Sequence, residues 1–130
     1  MASETTNEAA DRPTILLVED EALTIMDLGD VLEDGGYDTV QCASAERALS
    51  ILQARPDICG LVTDVELSGR ATGFDLATSV SQARPGLPIL IVSGRASPDP
   101  DRMPEGAQFI ARPCAGEDIL AQLRRLMPTC

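Results

Sequence analysis

The chain predicts an α/β fold in which a doubly wound, five-stranded parallel sheet carries helices on both faces. Three observations predict it. Short, continuously apolar runs of strand length alternate with stretches of helical period. Glycine and proline stand at the joints between them. The length of 130 residues suits one domain with one proper core and leaves little room for a second.

Residues 1–13 are polar and without period and read as a flexible tail. Thr14-Ile-Leu-Leu-Val18 is the first strand, apolar throughout, as a strand buried on both faces requires. Residues 21–34 form a helix stopped by Gly35-Gly36. At 100° per residue, Thr24, Leu28, Val31 and Leu32 share the face that packs on the sheet, while Leu23 and Met26 point away from it. Thr39-Val40-Gln41-Cys42 is the second strand. Ser44 caps a helix over 45–54, closed by Arg55-Pro56. Ile58 to Thr63 is the third strand, 73–83 a helix ended before Pro85, and Pro88 to Val92 the fourth strand. Pro98, Pro100 and Pro104 then forbid a helix of ordinary length, so the helix expected there is short or missing. Gln108-Phe-Ile-Ala111 is the fifth strand. Gly116 to Met127 is the last helix, with Glu117 and Asp118 in its first turn and Arg124 and Arg125 in its last, matching the helix dipole. Residues 128–130 are the C-terminal end.

Charge narrows the function. Acidic residues outnumber basic ones 21 to 10, and every basic residue is arginine. A net charge of −11 repels nucleic acid and favours cations and basic partner surfaces. Two Phe, one Tyr and no Trp offer no base-stacking platform. There is no histidine, and Cys42, Cys59, Cys114 and Cys130 form no CxxC pair, which speaks against a zinc site and a Ser–His–Asp hydrolase. The sequence shows no signal peptide and no apolar run of membrane-spanning length. The expectation is a cytoplasmic protein with reduced thiols, Cys42 and Cys59 lying in the core.

The chemistry-bearing residues fall at strand ends. Glu19, Asp20 and Glu21 follow the first strand, Asp64 the third, Ser93 the fourth and Arg112-Pro113 the fifth. That edge is where doubly wound folds bind ligands. Clustered carboxylates repel one another, and a divalent cation relieves the repulsion. Hard oxygen ligands suit Mg²⁺ with several waters retained. Such a cation also offsets repulsion between a carboxylate nucleophile and an incoming phosphoryl group, and a hydroxyl and a guanidinium nearby can bind the transferred oxygens.

Four motifs in order carry a resemblance. Ile15-Leu-Leu-Val-Glu-Asp-Glu21, Leu61-Val-Thr-Asp-Val-Glu-Leu67, Ile91-Val-Ser-Gly94 and Phe109-Ile-Ala-Arg-Pro113 together resemble the receiver domain of two-component response regulators, over residues 14–127. The resemblance implies a CheY-like, flavodoxin-like (βα)5 fold and a single-domain regulator that signals by protein–protein contact. It implies Asp64 as the phosphorylated residue, and Mg²⁺ held by Glu19, Asp20, Asp64 and the backbone carbonyl of Glu66. Ser93 would bind the phosphoryl group, Phe109 would change rotamer as Ser93 moves, and Arg112-Pro113, Lys-Pro in the family, often carries a cis bond. Partners would be a sensor histidine kinase or a histidine phosphotransfer protein, docking at Leu23 and Met26, and a downstream protein, with no nucleic acid or membrane. Enzymatic activity would extend at most to self-phosphorylation from a phosphodonor and autodephosphorylation.

The chain departs from the family at Arg112, a planar fork where the family has a compact Lys. A phosphorylation-independent pseudo-receiver adaptor is the alternative reading on that ground. The loop after Asp64 has Ser68 where a Pro is usual and one extra residue, so a bulge or extra turn is expected. Glu66 and Arg95 would form an ion pair that gates water, or remain two solvated charges. A haloacid-dehalogenase-like phosphohydrolase would need a second Asp two residues after Asp64, where Glu66 stands. Met1 and the polar tail suit a natural start; a domain excised from a hybrid kinase is the other possibility.

Overall fold

The computed structural model describes residues 12–94 and 101–127. Five strands, β1 (Thr14–Val18), β2 (Asp38–Cys42), β3 (Ile58–Thr63), β4 (Ile89–Ser93) and β5 (Gln108–Ala111), pair in parallel in the order β2-β1-β3-β4-β5. Helices α1 (Ala22–Asp34), α2 (Ala45–Ala54), α3 (Gly73–Ala83) and α4 (Gly116–Leu126) cover the two faces. The chain leaves β1 toward β2, then returns to place β3 on the other side of β1. Strand order therefore reverses between β1 and β3, and the crevice of a doubly wound sheet opens above that point.

Alternation within the strands divides the core. Leu16, Val18, Leu61 and Ile91 face one side, with Ala48 and Leu52 of α2 and Leu76 and Val80 of α3. Ile15, Leu17, Val62 and Leu90 face the other, with Leu28 and Leu32 of α1 and Ile119 and Leu123 of α4. Leu32 is fully enclosed. Leu32→Ala is expected to cost about 3 kcal/mol, the usual range for a Leu truncated in a packed core, read as a lower urea midpoint at unchanged slope.

Local chemistry sets the helix limits. Ser44 accepts the Arg47 N–H at 3.1 Å and starts α2. Thr72 and Asp75 form a reciprocal capping box at the start of α3. Glu21 stands at the N-cap of α1, so that helix begins one residue after the sequence-based limit, and α4 ends at Leu126 with Met127 as its cap. No helix occurs over residues 101–107, the described part of the β4–β5 connection, as the prolines require. In the loop after Asp64, Ser68 forms an isolated parallel bridge with Ser44 and donates its N–H and hydroxyl to the Ala43 carbonyl. Arg12, read from sequence as part of the loose tail, donates to Asp38 and to the carbonyls of Glu33 and Tyr37.

Two expectations need correction. Thr24 does not pack on the sheet: its hydroxyl bonds the Glu21 carboxylate, and Ile25 takes the core-side place instead. The cysteines are not all reduced thiols. Cys59 is disulfide-bonded, Cys42 and Cys114 are free, and Cys42 and Cys59 lie half-buried against the core rather than within it. Among the described residues, no helix is long and apolar enough to cross a membrane.

Candidate functional site

Three backbone hydrogen bonds extend the ladder one residue past the strands and line up the site. Glu19 N–H donates to Cys42 O at 3.0 Å, Asp64 N–H to Val18 O at 3.0 Å, and Arg112 N–H to Ser93 O at 2.9 Å. Glu19, Asp64, Ser93 and Arg112 are thereby fixed by the sheet rather than by loops. They line a cavity of about 450 Å³ together with Asp20, Glu21, Thr24, Glu66 and Gly94. Among the described residues, five carboxylates and one guanidinium face this space.

Glu19 is only 3% exposed. Burial, with Asp64 and Asp20 adding like charge, pushes its carboxyl up to about 7, against the lowering effects of the Glu21 N–H and Arg112. Its Oε2 accepts the Glu21 N–H at 3.1 Å. Arg112 Nη2 stands 3.8 Å from Glu19 Oε1, close enough for attraction and too far for a hydrogen bond. That same nitrogen is buried with no acceptor.

Asp64 also has its carboxyl raised by burial, and the charge of Glu66 adds to the effect. The Val65 N–H, at 2.7 Å from Oδ1, Arg112 and the Ser93 hydroxyl pull the other way. Ser93 is itself buried at the end of β4. Behind Asp64, the first turn of α3 presses against its backbone. A Cβ on Gly73 would lie 2.0 Å from the Asp64 carbonyl oxygen, and the Gly73 N–H donates to Val65 O at 2.7 Å.

The sheet order with its crevice over Asp64, the acidic pair after β1, the buried hydroxyl after β4 and the cation after β5 form one constellation. The family model described as response regulator receiver domain matches residues 15–124. The chain belongs to the response regulator receiver family. Among curated relatives, the two-component response regulator ORR11 of Oryza sativa subsp. indica is 24% identical over 121 residues, covering 89% of this chain and 82% of the relative. Among solved structures, a response regulator receiver protein from Sinorhizobium medicae WSM419 superposes with a TM-score of 0.87 at 24% identity, covering 92% of this chain and 98% of the other. The receiver domain of NtrX from Brucella abortus gives 0.79 at 26% identity, covering 89% and 99%. A CheY-like receiver domain protein from Methanospirillum hungatei JF-1 gives 0.80 at 22% identity, covering 91% and 95%.

Within this receiver domain, Glu19, Asp20, Asp64, Glu66, Ser93 and Arg112 gather in one cavity. Phe109 is not among its lining residues; it lies on β5 beside Ile91. Leu23 and Met26 lie outside the cavity on the first turns of α1, 78% and 61% exposed. The Arg112-Pro113 bond is cis. Arg95 lies outside the described residues, so its pairing with Glu66 has no structural account. Sequence reasoning missed Thr24 as a wall of the cavity and Gly73 as the contact behind Asp64. Thr24 stands one helical turn after Glu21, which was a usable signal. Nothing local marked Gly73 as more than a helix start.

The donor set suits a hydrated Mg²⁺ ion. Among the described residues no three carboxylates converge on one point, so the side chains alone do not build a closed metal shell. Mg²⁺ needs no such shell, because it keeps several waters and takes one or two carboxylates. The surplus of carboxylates around a buried Glu19 is the feature that a divalent cation would relieve.

Proposed function

We propose that this receiver domain, residues 14–127, is phosphorylated on Asp64 and signals by contact with other proteins. The observation that carries this reading is the buried Arg112 Nη2, which has no acceptor in a cavity whose strand-end carboxylate is Asp64. A phosphoryl oxygen on Asp64 would supply the acceptor that this donor lacks.

In the transfer, an oxygen of the Asp64 carboxylate bonds to phosphorus. The bond from phosphorus to the donor breaks, and the leaving group departs with its electron pair. The donor is the phosphohistidine of a sensor kinase or phosphotransfer protein, or a small acyl phosphate. The Val65 N–H fixes Oδ1 and so sets the direction of the carboxylate. Ser93 and Arg112 donate to the transferred oxygens. Asp20, Glu19, Asp64 and the Glu66 carbonyl would hold Mg²⁺, which neutralises charge on the phosphoryl group when bound. Phe109 follows the movement of Ser93, since the two lie on paired strands. Hydrolysis of the aspartyl phosphate returns the domain to rest. A cytoplasmic location accompanies this reading, and the acidic surface argues against a nucleic-acid partner.

Leu23 and Met26 form the docking patch for the phosphodonor protein. Both are large, apolar and exposed at the rim of the site, and no described side chain of this chain covers them. Met26→Asp is expected to slow phosphotransfer from the cognate donor about tenfold or more, since charge at the centre of an apolar contact is costly, while phosphorylation by acetyl phosphate stays unchanged. Equal slowing with both donors would contradict a docking role.

The pseudo-receiver reading has one observation in its favour: the guanidinium of Arg112 leans toward Glu19 rather than bonding Asp64. A partner-binding adaptor would take no phosphoryl group from acetyl phosphate, which is the experiment that separates the two readings.

A further inference from the structure

Two aromatic rings and one guanidinium form a stack outside the acidic cavity. Phe109 of β5 lies against Phe74 of α3, with ring centroids 6.4 Å apart and planes 13° from parallel. Phe74 is buried, and Phe109 is half-buried. Arg102 reaches over from the β4–β5 connection. Its Cζ sits 5.4 Å from the Phe74 centroid, and its Nη2 donates to Asp75 Oδ1 at 2.5 Å. Asp75 is held in turn by the Thr72 cap.

The elements that carry this stack both connect to the reactive site. The first turn of α3, which carries Phe74 and Asp75, rests on the Asp64 carbonyl at Gly73. The strand that carries Phe109 leads into Arg112, and its Ala111 pairs with Ser93. With no helix over residues 101–107, Arg102 in the described part of the connection clasps α3 by charge and by ring contact.

We propose that Arg102 is a positioning residue that latches the Phe74–Phe109 stack and so sets the resting population of the Phe109 switch. This rests on the reading of Asp64 and Ser93 given above. With the latch closed, Phe109 keeps its stacked place. When a phosphoryl group on Asp64 engages Ser93, Phe109 leaves Phe74; by holding Phe74 and Asp75, Arg102 fixes the ring surface on which Phe109 stacks and so favours the stacked place. Loosening the latch shifts the unphosphorylated protein toward the switched arrangement, because a two-state equilibrium responds to any contact made in one state only.

The chain has only two phenylalanines, which makes the test direct. Protein labelled with 4-fluorophenylalanine gives two fluorine resonances, assigned with Phe74→Leu and Phe109→Leu. Spectra are recorded for the wild type, Arg102→Gln and Arg102→Lys, first without ligand and then with Mg²⁺ and beryllofluoride as a phosphoryl mimic. In ligand-free Arg102→Gln the Phe109 resonance should move part-way toward the position that beryllofluoride produces in the wild type. Arg102→Lys, which keeps the cation, should stay near the wild type. A ligand-free Phe109 resonance in Arg102→Gln that coincides with the wild type overturns the latch. If beryllofluoride leaves the wild-type resonance unmoved while Arg102→Gln displaces it, the switch role of Phe109 fails and the clamp stands.

Discussion

Adding one methyl group at Gly73 is expected to destabilise the domain by about 3 kcal/mol and to displace the residue that we propose as phosphoacceptor, since overpacking against a fixed wall costs 1–3 kcal/mol and occasionally more. The added Cβ would meet the Asp64 carbonyl oxygen at 2.0 Å, its carbon at 2.8 Å and Val65 Cα at 2.9 Å. All three are backbone atoms, so no side chain can swing aside. Either α3 retreats and loses the Gly73–Val65 hydrogen bond, or Asp64 moves off the end of β3. Gly36→Ala is the control. That residue has φ +100° with nothing within 4 Å, so alanine there meets strain but no neighbour. It should cost about 1–2 kcal/mol, the usual penalty for a left-handed backbone, and leave the site as it was. Urea unfolding gives the two stabilities, and the initial rate of phosphorylation by acetyl phosphate reads the site. Gly73→Ala with a wild-type midpoint and rate would contradict the close approach of α3 to Asp64.

Arg112→Gln is expected to slow phosphorylation by acetyl phosphate about a hundredfold, the usual loss when one preorganised donor to developing charge is removed. Among the described residues, Arg112 is the one guanidinium lining a cavity of five carboxylates. It holds down the carboxyl groups of both Glu19 and Asp64, against the burial that raises them. Without it the phosphoryl group loses a charged donor. Arg112→Lys keeps the charge but replaces a planar fork by a compact ammonium. It should retain most of the rate, because the side chain reaches the cavity from a position fixed by the Arg112–Ser93 backbone bond. A rate unchanged in Arg112→Gln would show that the guanidinium serves Glu19 alone.

The fold was legible because its signals are local. Ile15 to Val18 and Ile89 to Val92 are apolar on both faces and buried on both, as strands between helix layers must be. Gly35-Gly36, the Ser44 cap and the Arg55-Pro56 pair fixed helix limits to within a residue or so. The site was legible for a related reason. In a parallel sheet every strand ends on the same edge, so Glu19, Asp64, Ser93 and Arg112 could be gathered from strand limits alone. What stayed hidden depends on approach between distant segments. Thr24 was assigned to the sheet by its angle on the helix, yet at the first turn of α1 that face looks over the end of the sheet into the cavity. The Phe74–Phe109–Arg102 stack joins α3, β5 and a proline-rich connection with no pattern linking them. The disulfide at Cys59 ran against a reading based on cysteine spacing alone, and spacing does not report which sulfurs meet in space.

We propose Asp64 as the residue that accepts the phosphoryl group. Intact mass after incubation with Mg²⁺ and acetyl phosphate, for the wild type and Asp64→Asn, tests it most directly. One phosphoryl group is expected on the wild type and none on Asp64→Asn, with both proteins folded by circular dichroism. A folded wild type that gains no mass, with Arg112→Lys equally unreactive, would contradict it and leave the partner-binding adaptor as the reading of this site.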